Sequence, residues 1–241
     1  MKNLIYAALA LAVVACAPAN NTNAASDTAG TASATVSTTT NTTAAPTTGG
    51  APATSTIPKA GDEEKPMSYY ENKIAELHTS SGEIDIRFFP DKAPNHVKNF
   101  IDLAEKGFYN GSKFHRVIPG FMIQGGDPNT ISGDPSTWGT GGSGKNVAAE
   151  FNDVHHARGI VSMARSNDPN SASSQFFICV ADAGFLDRQY TAFGEVTKGM
   201  DVADKIVNAA RGPNDRPNNP TTIEKVVIRD AKPTDVPASG K

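Results

Sequence analysis

Phe114-His115-Arg116-Val117-Ile118-Pro119-Gly120-Phe121-Met122-Ile123-Gln124-Gly125-Gly126-Asp127 begins as a strand and breaks at a Pro-Gly turn. The chain then sends Phe121, Met122 and Gln124 back towards Arg116, setting one cation beside an apolar patch and an amide. A second stretch, Ser174-Gln175-Phe176-Phe177-Ile178, carries adjacent aromatic residues. Neighbours on a strand point to opposite faces, so one Phe enters the core and the other lines a surface pocket.

Around these stretches lie further short strand-like runs, at residues 74–78, 83–89, 159–164, 191–196 and 223–229. Ile84, Ile86 and Phe88 show the period-two alternation of a half-buried strand. Gly and Pro clusters separate the runs, which argues for antiparallel pairing through turns. Two segments carry helical periodicity instead. In 93–106, Val97, Phe100, Ile101 and Ala104 share a face behind Ala93-Pro94, and Gly107 stands at the stop. In 200–208 the apolar positions are Val202, Ile206 and Val207. Many short strands with two amphipathic helices predict a mainly β fold, a closed barrel with helices over its ends.

The rest of the 241-residue chain has a different character. Residues 17–66 are built from Ala, Thr, Ser, Asn, Gly and Pro, too few large apolar groups to repay the entropy of ordering, and are expected to be a disordered tether. The folded domain is therefore assigned to 67–237. Residues 1–16 read as an export signal, with Lys2 at the start, an apolar run over 4–15, and Cys16 at the end. That run is shorter than the roughly 20 residues of a spanning helix. Val13-Val14-Ala15-Cys16 resembles a bacterial lipobox, which makes Cys16 a lipidation site and the chain a lipid-anchored envelope protein, facing the periplasm from the outer membrane in a two-membrane cell. The alternative is a secretory signal cleaved near Ala17 or Ala19. With 22 basic against 25 acidic side chains and no basic block, nucleic acid is excluded as a partner.

Residues 67 to about 232 resemble the cyclophilin family of peptidyl-prolyl isomerases. The resemblance rests on Asp91-Lys92-Ala93-Pro94, Asn99-Phe100, Gly107-Phe108-Tyr109, the 114–127 block, Gly159-Ile160-Val161-Ser162-Met163-Ala164, 175–178 and Phe193-Gly194-Glu195-Val196. It implies an eight-stranded antiparallel barrel capped by two helices, a monomer acting on proline-containing polypeptides, and no cofactor or metal. It also implies that Arg116 is the catalytic cation, that Phe121, Met122, Phe177 and Leu186 form the proline pocket, and that Gln124 binds substrate backbone and orients Arg116. By the same resemblance Ala164 and Arg165 pair with an extended substrate, and His115, Gln175, Phe185 and Tyr190 border the groove. A non-catalytic proline-peptide-binding or chaperone module is the alternative for the same groove.

Departures from the family pattern carry consequences. Phe185 stands where many members have Trp, so an indole donor is missing and cyclosporin binding is expected to weaken with activity retained. Tyr190, Arg165 and Ser173 replace a common His, Asn and Gly. Three further features read as bland. Gly139-Thr140-Gly141-Gly142-Ser143-Gly144-Lys145-Asn146 lacks the terminal hydroxyl of a phosphate-binding loop and serves as a turn beside the groove. His155-His156 is expected to be a solvent-exposed loop pair, not a metal site. Cys179 is expected to be a buried core thiol.

Overall fold

The computed structural model describes residues 65–235. The signal segment, Cys16, the tether up to residue 64 and residues 236–237 of the assigned domain lie outside them. Among the described residues no helix is long and apolar enough to cross a membrane.

Eight strands form one antiparallel sheet: β1 (Lys73–Thr79), β2 (Gly82–Phe88), β3 (Arg116–Ile118), β4 (Met122–Gly125), β5 (Ile160–Met163), β6 (Phe176–Cys179), β7 (Ala192–Lys198) and β8 (Ile223–Asp230). Their order is β3-β4-β6-β5-β7-β2-β1-β8. The strand that the sequence runs do not name is β4, the return limb after Pro119-Gly120.

The expected closed barrel is corrected to an open, curled sheet. β3 and β8 end the ladder, and only an isolated bridge between Lys113 and Thr222 spans the gap. Backbone bonds from Gly111 to Ile223 (2.7 Å), Ile223 to Ser112 (2.7 Å) and Phe114 to Thr221 (3.0 Å) hold the seam at that point. A continuous ladder fails because β3 is only three residues long before its turn, and Pro217 and Pro220 ahead of β8 have no N–H to donate.

Among the described residues three α-helices accompany the sheet, not two: α1 (Pro94–Glu105), α2 (Asn129–Ser132, a single turn) and α3 (Met200–Val207). The expected apolar face of α1 is buried: Val97, Phe100, Ile101 and Ala104 all enter the core. Its N-terminus lacks a local side-chain cap. Glu150 supplies one from a distant loop, accepting from the Asn95 and His96 backbone N–H groups at 3.1 and 3.0 Å. That satisfies donors the helix cannot pair internally, with the charge sign the helix dipole favours.

The core divides in two. The larger cluster centres on Phe100, whose ring lies 4.8 Å from Tyr109, 5.4 Å from Phe176 and 5.5 Å from Phe193. The smaller comprises Met122, Phe177, Cys179, Ala183 and Leu186, with Ile118, Phe121, Ala164 and Tyr190 packed against it. Phe176 and Phe177 thus fall on opposite sides of β6, as alternation requires.

Candidate active site

The site is built on the β3–β4 hairpin. Gly120 takes a φ of +74°, which a side chain disfavours, and Phe121 N–H donates to the Ile118 carbonyl at 3.0 Å to close the turn. The register then pairs Arg116 with Gln124 and Ile118 with Met122. Across the next strands Gln124 pairs with Phe177, and Phe177 with Ser162. Arg116, Gln124, Phe177 and Ser162 therefore form one row over β3, β4, β6 and β5. Directly opposed residues on neighbouring strands point to the same face. The next row of that face is Ile118, Met122 and Cys179.

Aromatic side chains surround the smaller cluster. Tyr190 meets Phe177 edge-on at 5.8 Å, and Phe121 lies 5.3 Å from Phe185. Met122 and Leu186 are buried in the same cluster, while Phe185 stays 59% exposed. The pocket residues expected from sequence are thus together, with Phe185 at the outer lip. A large apolar side chain left in water beside an apolar cluster is the kind of exposed surface that marks a binding site.

Arg116 stands beside this cluster and is partly exposed. Among the described residues its guanidinium makes no hydrogen bond; its one ionic neighbour is Asp215, with Nε 3.8 Å from Oδ2. Gln124 does not bond to Arg116 as expected: its Nε2 donates to Gln175 Oε1 at 2.9 Å. Gln175 in turn donates to the Gly139 and Gly141 carbonyls at 3.0 and 2.8 Å. The glycine-rich loop is therefore tied to the site by its backbone, and the phosphate-loop likeness has no structural echo.

Ala164 N–H donates to the Gln175 carbonyl at 2.9 Å, which holds the end of β5 beside β6. Arg165 spreads its guanidinium over the Tyr190 ring at 4.6 Å and donates to the Gln189 carbonyl. His115 is buried, and among the described residues both its ring nitrogens lack protein partners. Burial pushes its pKa down, against the pull of Asp127.

The histidine pair is the larger correction. His155 is exposed, but His156 is 1% exposed, drawn inward because Asp187 accepts from its backbone N–H at 2.8 Å and its Nδ1 at 2.9 Å. His156 Nε2 lies 3.1 Å from the Ser162 hydroxyl. On the outer side, His155 bonds Asp187 at 2.6 Å and Asp182 at 2.5 Å. Bonds from His155 and His156 hold the Asp187 carboxyl well below the usual carboxylate range. Cys179 is buried and its thiol is pushed up to about 12, which leaves it inert as a nucleophile.

Sequence reasoning missed Asp215, Asp187 and His156 at this site. Asp187, directly after Leu186, was the one legible signal: a carboxylate next to a buried pocket residue needs a donor somewhere.

Known proteins resemble this chain in sequence and in fold. The family model for cyclophilin type peptidyl-prolyl cis-trans isomerase/CLD matches residues 74–228. A probable peptidyl-prolyl cis-trans isomerase of Brucella abortus is 46% identical over 157 residues, covering 63% of this chain and 80% of that protein. Peptidyl-prolyl cis-trans isomerase A of Dickeya dadantii is 46% identical over 161 residues, covering 65% and 82%. Among solved structures, a Cryptosporidium parvum cyclophilin type isomerase, crystallised in the presence of the dipeptide Ala-Pro, superposes with a TM-score of 0.59 at 30% identity, covering 65% of this chain and 99% of that one. With the match spanning most of the described residues and the open, curled sheet shared with these structures, the chain belongs to the cyclophilin-type peptidyl-prolyl cis-trans isomerase family.

Proposed function

We infer that this chain catalyses cis/trans isomerisation of the peptide bond preceding proline, with Arg116 as the catalytic cation. The single observation that supports this most is the row of Arg116, Gln124 and Phe177 beside the apolar cluster. Resonance across an amide sets a rotation barrier of about 18–20 kcal/mol. Twisting the bond breaks that conjugation and localises a lone pair on the proline nitrogen. A guanidinium aimed there stabilises the twisted state more than the planar one, which is what accelerates the step.

The remaining residues take supporting roles. Phe121, Met122, Phe177 and Leu186 hold the proline ring while the preceding carbonyl swings. Gln124 binds substrate backbone through its carbonyl oxygen, its amide nitrogen being engaged by Gln175. Ala164 and Arg165 line the extended peptide, with Gln175, Phe185 and Tyr190 at the borders. Phe185 offers no indole N–H, so cyclosporin binds weakly; nanomolar affinity in a competition titration refutes this.

The clients are proline-containing envelope or secreted proteins, reached from a lipidated Cys16 by a tether of about 50 residues with a root-mean-square span of roughly 40 Å. Mass spectrometry of the mature N-terminus tests the anchor; an unmodified terminus beyond Cys16 refutes it. The activity is tested by NMR exchange of a short Xaa-Pro peptide with the full chain and its Arg116→Ala variant. Acceleration by the parent is expected to fall at least tenfold in the variant. Binding without acceleration by the parent establishes a proline-peptide-binding module instead.

A further inference from the structure

The proline pocket has two walls that come from different parts of the chain. Phe177 belongs to β6, fixed within the sheet. Leu186 belongs to a single 3-10 turn, Gly184–Leu186, on a loop outside the sheet. Nothing in the strand ladder sets the distance between them.

His156 spans that gap. Its backbone carbonyl accepts from Ala183 N–H at 2.8 Å, just before the turn, and its backbone N–H donates to Asp187, just after it. Its ring lies nearly parallel to the Phe177 ring, 19° apart with centroids at 6.3 Å. The ring is oriented from both ends: Asp187 faces Nδ1, and Ser162, the β5 partner of Phe177, faces Nε2. A carboxylate only accepts, so Nδ1 carries the proton and Nε2 accepts from the Ser162 hydroxyl.

We propose that His156 and Asp187 form a clamp that sets the width of the proline pocket, His156 backing Phe177 and Asp187 fixing the turn that carries Leu186. Both are positioning residues, since neither side chain belongs to the cluster that lines the pocket. The proposal rests on the isomerase reading above, but its signature differs from that of Arg116. A pocket wall holds the proline ring equally in the planar and twisted states, so loosening it weakens binding without slowing bound substrate.

The test uses the full chain with His156→Gln, Asp187→Ala and the double variant. Affinity for an Ala-Pro peptide is read by titration, and the exchange rate by NMR at saturating peptide. Asp187 is partly exposed, so its variant reports even if His156→Gln fails to fold. Each single variant is expected to raise Kd at least fivefold with the saturated rate within twofold of the parent. The double variant is expected to be no more than twofold weaker than the worse single one, because both break one link. A Kd within twofold of the parent in a folded variant overturns the clamp, as does a saturated rate that falls while Kd holds. A parent that binds the peptide without accelerating exchange refutes the isomerase reading alone, and the Kd values still decide the clamp. A parent that does neither overturns both.

Discussion

Arg116 shows how a single residue depends on a neighbour far along the chain. Asp215, its only ionic contact among the described residues, follows Asn214, and both adopt left-handed backbone with φ of +57° and +61°. Such conformations cost energy in non-glycine residues and recur where a side chain must be aimed. Asp215 is shared with Arg211 at 3.4 Å, so it steers Arg116 Nε without occupying the rest of the guanidinium. Asp215→Asn keeps a residue that tolerates this backbone and removes the charge. Its saturated exchange rate is expected to fall about two- to fivefold, roughly 0.4–1 kcal/mol at 1.4 kcal/mol per tenfold. In an Arg116→Ala background the same change is expected to have no further effect. An equal loss in both backgrounds, measured by NMR exchange, shows that Asp215 acts on something other than Arg116.

At the scale of an element, α1 is the instructive case. Its buried face was legible because helical periodicity is a local property, and the twelve residues Pro94–Glu105 fall close to where that pattern placed them. Its cap was not legible, because Glu150 lies 54 residues from His96. That carboxylate also accepts from buried His96 Nδ1 at 2.7 Å, while His96 Nε2 has no protein partner. Burial pushes the Glu150 carboxyl up, but the bonds from His96 and Asn95 outweigh it and the net shift is downward. Glu150→Ala removes the cap and leaves a second buried imidazole nitrogen unpaired. The expected loss is about 2–4 kcal/mol, read as a lower urea midpoint with unchanged slope. Within the same helix Phe100→Ala empties the centre of the aromatic cluster, at an expected cost of about 3–5 kcal/mol by the same measurement.

For the whole molecule, the buried histidines set the response to acid. His96, His115 and His156 all have pKa values pushed below the ordinary 6.5, with burial the largest cause in each. Below that value the unfolded chain takes up protons that the folded chain refuses, so stability rises with pH and drains away as pH falls from about 6.5. Glu150 adds to the loss at lower pH, since its depressed pKa gives stability present above 4.5 and lost beneath it. His155 works the other way, raised first by its bond to Asp187, with its contribution lost as pH rises. It is exposed and solvent-screened, so the three buried rings are expected to prevail. Thermal unfolding of the full chain at pH 7 and pH 5 checks this: a lower Tm at pH 5 is expected, and an equal or higher one contradicts it.

What the sequence determined by itself was whatever its neighbours in the chain determine. The Pro-Gly turn of the β3–β4 hairpin, the opposed fates of Phe176 and Phe177 and both long helices follow from turns and periodicities within a dozen residues, whereas the pocket residues were legible only through the resemblance to the cyclophilin family. Tertiary structure decided the rest. It left the sheet open with a bridged seam, added the single turn α2, buried His156 where a solvent loop was expected, and gave Arg116 and α1 partners from remote loops. The buried His156 and the α1 cap depend on polar groups that meet from distant parts of the chain, as in His156 with Asp187 (31 apart) and His96 with Glu150 (54 apart). A charged or polar residue carries no periodic mark of its partner, so only packing of the apolar core, which brings such groups together and strips them of water, shows which pairs form.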